Sequence, residues 1–229
     1  NTEAAIFDDL RKTWREFHTD IKKLALGLYK LGLTTDDKMG IWAKNIYPWM
    51  VGWFAVPKVG VTVIPMDYWY QPKEAKYILH HSEARAVLCT SDFLPMIENI
   101  RPGLPNLEFI ILMDNPEKIN SEMSGIKTMK EVMDVDSSEY DQVQKIQDSL
   151  NKEDVTFILY TSGTTGKPKG AQLSHYNIIR NSVDTANVMN CSPEDKYLIP
   201  VPFSHCFGNT LAITCATCTG SSMIPLLDQ

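Results

Sequence analysis

Residues 155–170 read Val155-Thr156-Phe157-Ile158-Leu159-Tyr160-Thr161-Ser162-Gly163-Thr164-Thr165-Gly166-Lys167-Pro168-Lys169-Gly170. The first six form a β-rich run, and the ten that follow carry three glycines, four hydroxyl side chains and two lysines. A strand that opens directly into such a loop is suited to hold a phosphate anion. Glycine lets the backbone take dihedrals closed to other residues, so amide N–H groups come close to an anion. The hydroxyls of Thr161, Ser162, Thr164 and Thr165 donate to phosphate oxygens without adding fixed charge. Pro168 has no N–H and biases Lys167 towards extended geometry, so the chain should leave the loop as a strand and not roll into a helix. Lys169 sets a positive charge opposite a polyphosphate. The spacing excludes a Walker loop, which needs four residues between its first glycine and a Gly-Lys followed by Ser or Thr. Here two residues separate Gly163 from Gly166, and Pro168 follows Lys167.

Upstream, Trp14, Phe17, Ile21, Leu24, Leu28 and Leu31 recur at three- and four-residue steps and predict one helix ended by Gly32. Short apolar runs then alternate with helical patterns at 39–43, 49–56, 61–65, 73–81, 86–89 and 109–112. That alternation predicts an α/β fold with a mostly parallel, helix-covered sheet, in which runs 39–43 and 61–65 are central strands. Periodicity weakens from 113 to 154, where turn signals such as Asn115-Pro116 and Ser124-Gly125 gather, so this stretch is expected to be a surface crossing. The expected organisation is a first α/β portion over about 1–114, the crossing over 115–154, and a portion with the phosphate loop over 155–229. The last portion should hold a strand at 171–173, a helix over 176–189, a strand at 197–201, an apolar helix around 210–218 and a strand at 222–225.

Bulk properties narrow the partners. The 229 residues carry 22 basic and 28 acidic side chains, a net charge of −6, with 44% apolar and 22% charged residues. This is the composition of an ordinary globular protein, and its charge disfavours nucleic acid as a partner. The five cysteines are an odd count in a chain too large to need disulfide staples, and they read as reduced thiols. Cys215 and Cys218 have CxxC spacing but no second pair at a zinc-like distance, so no metal ligands are assigned. No apolar stretch is long enough to span a bilayer and no signal peptide opens the chain, which predicts a cytoplasmic location. Opening at Asn1 without a methionine and closing just past a strand, the chain is expected to be a piece of a longer protein. A targeting sequence upstream stays open, as does the oligomeric state.

A second segment, Pro202-Phe203-Ser204-His205-Cys206-Phe207-Gly208, sets a histidine among aromatic and small residues. An imidazole there can donate to a carboxylate or phosphate oxygen, and a core histidine satisfied by backbone is the bland alternative. Neither Ser162 nor Ser204 sits in a G-x-S-x-G elbow, which removes a serine-hydrolase reading. His80 and His81, beside Glu83 in an expected helix, read as solvated helix polarity. His18 faces the polar side of the first helix, and Trp49, Trp53 and Trp69 read as core.

Taken together, residues 161–170 resemble the signature of the adenylate-forming (AMP-binding) superfamily of acyl-CoA synthetases, luciferases and peptide-synthetase adenylation domains. The likeness extends to Lys12-Thr13-Trp14-Arg15-Glu16-Phe17, to Ala55-Val56-Pro57-Lys58-Val59-Gly60 with Ile64-Pro65, to Leu173-Ser174-His175 with Asn177, and to the His205 segment. It covers nearly the whole chain and implies part of the large N-terminal domain of such an enzyme. The implied activity is that of an AMP-forming acyl-CoA ligase: ATP with Mg²⁺ and a small-molecule carboxylic acid give an acyl-adenylate, and coenzyme A then gives the thioester. Residues 161–170 would bind the nucleotide, Lys169 and His205 would act in catalysis, and His205, Phe207 and Gly208 would shape the substrate site. Fatty-acyl members resemble the chain most. A luciferase-like or aryl-acid ligase and a catalytically silent nucleotide-binding homologue remain the alternatives. The family's downstream Tyr-Gly-x-Thr-Glu motif, ribose-binding Asp and C-terminal lysine do not occur here, so the chain alone is expected to lack ligase activity.

Overall fold

The computed structural model describes residues 2–114, 116–117, 119, 124–161 and 167–226. Its strands are β1 (Glu3–Ile6), β2 (Arg11–Thr13), β3 (Lys38–Trp42), β4 (Thr62–Pro65), β5 (Ala86–Cys89), β6 (Phe109–Leu112), β7 (Ile126–Thr128), β8 (Val155–Thr161), β9 (Lys169–Ser174), β10 (Lys196–Ile199) and β11 (Ser222–Pro225). The main helices are α1 (Trp14–Lys30), α2 (Tyr47–Lys58), α3 (Pro72–His81), α4 (Leu94–Ile100), α5 (Met129–Val132), α6 (Asp141–Ser149) and α7 (His175–Met189).

Two sheets form among the described residues. The larger runs β7-β6-β5-β3-β4-β8-β9, and every neighbouring pair is parallel except the β8–β9 hairpin. The α/β class expected from the alternating runs is the one observed, with β3 in the middle and β4 beside it. Side-chain alternation divides the strands between two cores. Met39, Ile41, Val63, Leu88 and Ile111 face the core containing α1 and α2. Trp42, Ile64, Val87, Cys89, Ile110 and Leu112 face the core containing α3 and α4. Every one of these residues is fully or almost fully buried.

The smaller sheet runs β10-β11-β1-β2. It joins strands from both ends of the sequence, since Ala5 pairs with Met223 across parallel strands. Sheet membership therefore interleaves the two portions: β1 and β2 leave the first portion for the smaller sheet, while β8 and β9 extend the larger one.

Local chemistry explains the helix boundaries. Thr13 and Glu16 form a capping box at the start of α1, in which the Thr13 amide donates to Glu16 Oε2 at 2.8 Å and the Glu16 amide to Thr13 Oγ1 at 3.3 Å. The Thr13 amide is also the main reason the Glu16 carboxyl titrates below its usual range. Phe17, Ile21, Leu24 and Leu28 are the buried stripe, and the helix stops before Gly32.

The weakly periodic stretch holds more structure than a surface crossing. Residues 124–150 supply the edge strand β7, α5 and α6, and bury Met129, Val132, Tyr140 and Val143. Elements of three to nine residues are too short to print a period on the sequence. Asn115 lies outside the described residues. The apolar helix expected around 210–218 is two pieces: a π-helical turn over Asn209–Thr214, then Cys215–Thr219.

Candidate functional site

The β8–β9 hairpin carries the phosphate-loop sequence at the C-terminal end of β8. That is the end of an open α/β sheet at which ligands bind. Thr161 pairs with Lys169, and Tyr160 with Gly170, so Thr161 and Lys169 stand opposite each other at the hairpin mouth. Strand β9 begins directly after Pro168, as the pre-proline geometry predicts. Thr161, Lys167 and Lys169 are exposed, and Pro168 and Gly170 are half-buried. Ser162, Gly163, Thr164, Thr165 and Gly166 lie outside the described residues. A Cβ on Gly170 would approach Ile158 Cγ2 to 2.7 Å, so a side chain there would push the two strands apart.

One flank of the hairpin is fastened to α3. The Tyr77 hydroxyl donates to the Pro168 carbonyl at 3.1 Å, and the Lys167 ammonium sits 5.9 Å from the Tyr77 ring centre. Tyr77 stacks on His81 with centroids 5.3 Å apart, and His81 Nδ1 shares a 2.8 Å hydrogen bond with the Tyr160 hydroxyl. Burial pushes the Tyr160 phenol up to about 12, so it stays protonated at neutral pH. His81 is exposed on its helix, as the solvated reading expects, and also contacts the strand that enters the phosphate loop. Its four-residue spacing from Tyr77 was the available signal, because that spacing puts both rings on one helix face. His80 is exposed, as expected.

The second segment is held from the opposite side. Asn45, buried between β3 and α2, donates from Nδ2 to the Val201 carbonyl at 2.9 Å and accepts from the Phe203 amide at 2.8 Å. Phe203 is buried and packs on Trp49, centroids 5.4 Å apart. These clamps present Ser204 and His205 at the surface. His205 Nδ1 accepts from the Phe207 amide at 3.2 Å, capping the turn Cys206–Gly208. With Nδ1 an acceptor, the neutral ring carries its proton on Nε2, which is then free to donate. His205 is exposed and Phe207 is 51% exposed, while Gly208 is buried. A Cβ on Gly208 would meet the Pro202 carbonyl oxygen at 2.2 Å. Gly208→Ala is therefore expected to destabilise the chain by about 1–3 kcal/mol, the usual cost of overpacking, read as a lower urea midpoint at unchanged m-value.

Hydrogen bonds and stacked rings tie the two segments together. Asn209 Nδ2 donates to the Phe203 carbonyl at 3.0 Å, the Thr214 hydroxyl to the Asn209 carbonyl at 2.9 Å, and Trp53 Nε1 to Thr214 Oγ1 at 3.0 Å. Trp53 also stacks on Phe157 of β8, centroids 3.9 Å apart. Trp49 and Trp53 are core residues as expected, but Trp69 is 70% exposed, because it lies past the end of β4 with its amide turned onto Asp67 Oδ1. Asn45, Asn209 and Thr214 had no local sequence signal.

Between the hairpin, α7 and the His205 segment lies a cavity of about 570 Å³. Leu159 and Leu173 line it from the hairpin, Ile178 from α7, and Cys206, Thr210 and Leu211 from beyond His205. Tyr176, Asn177, Arg180, Asn181 and Asp184 add polar edges to these apolar walls, and a pocket of this size and mixed lining suits an organic acid. Among the described residues, no three His, Cys, Asp or Glu side chains are grouped to hold a metal ion. Among the same residues, no helix is long and apolar enough to cross a membrane.

Comparison with known proteins identifies the family and the fold. The family described as AMP-binding enzyme matches residues 1–227. The chain is 36% identical to the mitochondrial medium-chain acyl-CoA ligase ACSF2 of Danio rerio over 230 aligned residues, which cover 90% of this chain and 37% of that protein. It is 30% identical to human ACSF2, covering 96% of this chain and 39% of that one. The crystal structure of the anthranilate CoA ligase AuaEII in complex with anthranoyl-AMP superposes with a TM-score of 0.83 over all of this chain and 42% of that one, at 22% identity, and so shares its fold.

Proposed function

Since the chain belongs to the AMP-binding enzyme family, we propose that it supplies the phosphate-holding hairpin and one wall of the acid site in an AMP-forming acid–CoA ligase. It spans about two-fifths of the length of the ACSF2 relatives it matches, 37% and 39%. The observation that carries the proposal is the pairing of Thr161 with Lys169 at the C-terminal end of β8, with the adjoining Pro168 carbonyl fastened by Tyr77.

In the reaction proposed, a substrate carboxylate oxygen attacks the α-phosphorus of ATP, the bond to the bridging oxygen breaks, and pyrophosphate leaves. Coenzyme A sulfur then attacks the acyl carbon and AMP departs. The carboxylate is already a nucleophile, so the protein's part is positioning and charge stabilisation. Lys169 and the Thr161 hydroxyl face the polyphosphate; Ser162, Thr164 and Thr165, which lie outside the described residues, add hydroxyl donors by sequence. The His205 Nε2 proton is offered to the carboxylate, and the acid's apolar part lies in the cavity lined by Leu159, Ile178 and Leu211, whereas Phe207 faces a different cavity beside Tyr197 and Gly208 is buried. The relatives' names support a medium-length aliphatic acid as substrate. Five free thiols and the mitochondrial relatives support a reducing compartment, cytoplasm or mitochondrial interior.

Pyrophosphate release from the complete protein tests this, with ATP, acids of graded length and aromaticity, and coenzyme A present or absent. The expected result is acid-dependent release that peaks with medium-length aliphatic acids and turns over only with coenzyme A. Nucleotide binding without release for any acid would mark a silent homologue. The 229-residue chain alone is expected to release none above background.

A further inference from the structure

A second cavity, of about 370 Å³, opens among α2, α6, α7 and β8. It shares the Ile178 wall with the cavity beside the His205 segment and opens away from the hairpin mouth. Asn151 and Lys152, which precede β8, and His175, which follows β9, line its rim. Phe157 is its lining residue on β8, four residues or about 13 Å along the strand from Thr161. Its walls are apolar, with Trp53, Phe54, Phe157, Leu150, Ile178 and Ile179.

Lys58, the last residue of α2, is the charged group set among them. Its Nζ lies 3.0 Å from Gln147 Oε1, a neutral partner. Among the described residues no carboxylate comes within ion-pair distance of Lys58, whereas the half-buried Lys12 and Lys38 pair with Asp20 and Glu83. The titratable groups that face it are Lys22 and His18 from α1, and Lys152 and His175 at the rim; Glu153 and Asp154 oppose the last two and do not pair with Lys58. Burial first, and the Lys22 charge second, push the Lys58 ammonium below its ordinary range. The cavity thus combines a large apolar wall with an uncompensated cation. One chemical class satisfies both, an anion with an apolar body. One lysine beside one amide matches a head of single charge, and the volume lies within the span of small-molecule sites, about 300–1,000 Å³.

We propose that the cavity bounded by Lys58, Trp53, Phe157 and Ile178 binds an aliphatic carboxylate, with the head on Lys58 and the chain along the aromatic wall, separately from the acid site beside His205. An enzyme that consumes such acids would then carry a second seat for them, at the opposite end of the sheet from the phosphate loop. Ligand there would press on Trp53 and Phe157, the same stacked pair that joins α2 to β8.

Because Trp53 lines the cavity, heavy-atom quenching of tryptophan fluorescence reads its occupancy. The complete protein is titrated with 8-bromooctanoate and, in parallel, with 8-bromooctan-1-ol, which keeps the tail and lacks the charge. Saturable quenching by the acid is expected, about tenfold weaker for the alcohol and for Lys58→Met, and unchanged in His205→Ala. Lys58 is only half-buried, so Lys58→Met and Lys58→Gln should keep the wild-type thermal melt and give the same loss. Wild-type affinity in the two Lys58 variants, or no saturable quenching, overturns the proposal. Quenching that survives in the Lys58 variants but disappears in His205→Ala would put the acid beside His205, overturning this inference while leaving the proposed function standing.

Discussion

Lys169→Ala in the complete protein is expected to slow acid-dependent pyrophosphate release by about 10²–10³-fold, the range seen when one preorganised transition-state partner is removed. Lys169 is the first residue of β9, exposed and paired through its backbone with Thr161. Truncating an exposed side chain there leaves the pairing intact, so stability should move by no more than about 0.5 kcal/mol. The positive charge matters most as charge shifts onto the leaving polyphosphate, so kcat should fall far more than KM for the acid rises. Lys169→Arg keeps charge with a different shape and should recover part of the loss. Single-turnover measurement of acyl-adenylate formation isolates the step. An unchanged adenylation rate in Lys169→Ala would remove the residue from the charge-stabilising role.

Asn45→Ala is expected to cost about 3–5 kcal/mol of unfolding free energy, the sum of two stranded buried backbone groups and a small void. The Asn45 side chain satisfies the Val201 carbonyl and the Phe203 amide at once, and it is 3% exposed, so water cannot easily replace it. Urea unfolding should show a lower midpoint with an unchanged m-value. The same substitution frees the strand end that presents His205. In the complete protein kcat/KM for the acid should therefore fall while nucleotide affinity stays near wild type. A variant with normal midpoint and normal acid kinetics would show that the Trp49–Phe203 packing alone holds the segment.

The larger sheet was legible because its strands are short apolar runs between clear helices, and α1 because its stripe spans five turns between a threonine cap and a glycine. The phosphate hairpin was legible for a different reason: ten adjacent residues of unusual composition follow a strand. What stayed hidden depends on partners far along the chain. Asn45 looks like any polar residue between a strand and a helix, and its partners lie more than 150 residues away. His81 sits beside a second histidine, and only the fold brings Tyr160 to it. The elements within 126–149 are each too short to repeat a period. Trp69 failed the other way, since an aromatic residue near a helical pattern carries no mark that its strand has already ended.

The smaller sheet constrains how this polypeptide comes to be folded. Ser222 Oγ donates to the Glu3 carbonyl at 2.7 Å, and among the described residues the parallel neighbour of β1 is β11, more than 200 residues later. During synthesis from the N-terminus, β1 and β2 must wait as an unpaired ribbon while β3 to β8 assemble. At a ribosomal rate of about 5–20 residues per second, that wait lasts about 10–40 s. An exposed parallel edge of that duration is an opening for wrong pairing or for chaperone capture. Nascent chains halted before residue 222 should bind holdases through residues 3–13, and lose that binding once β11 has emerged.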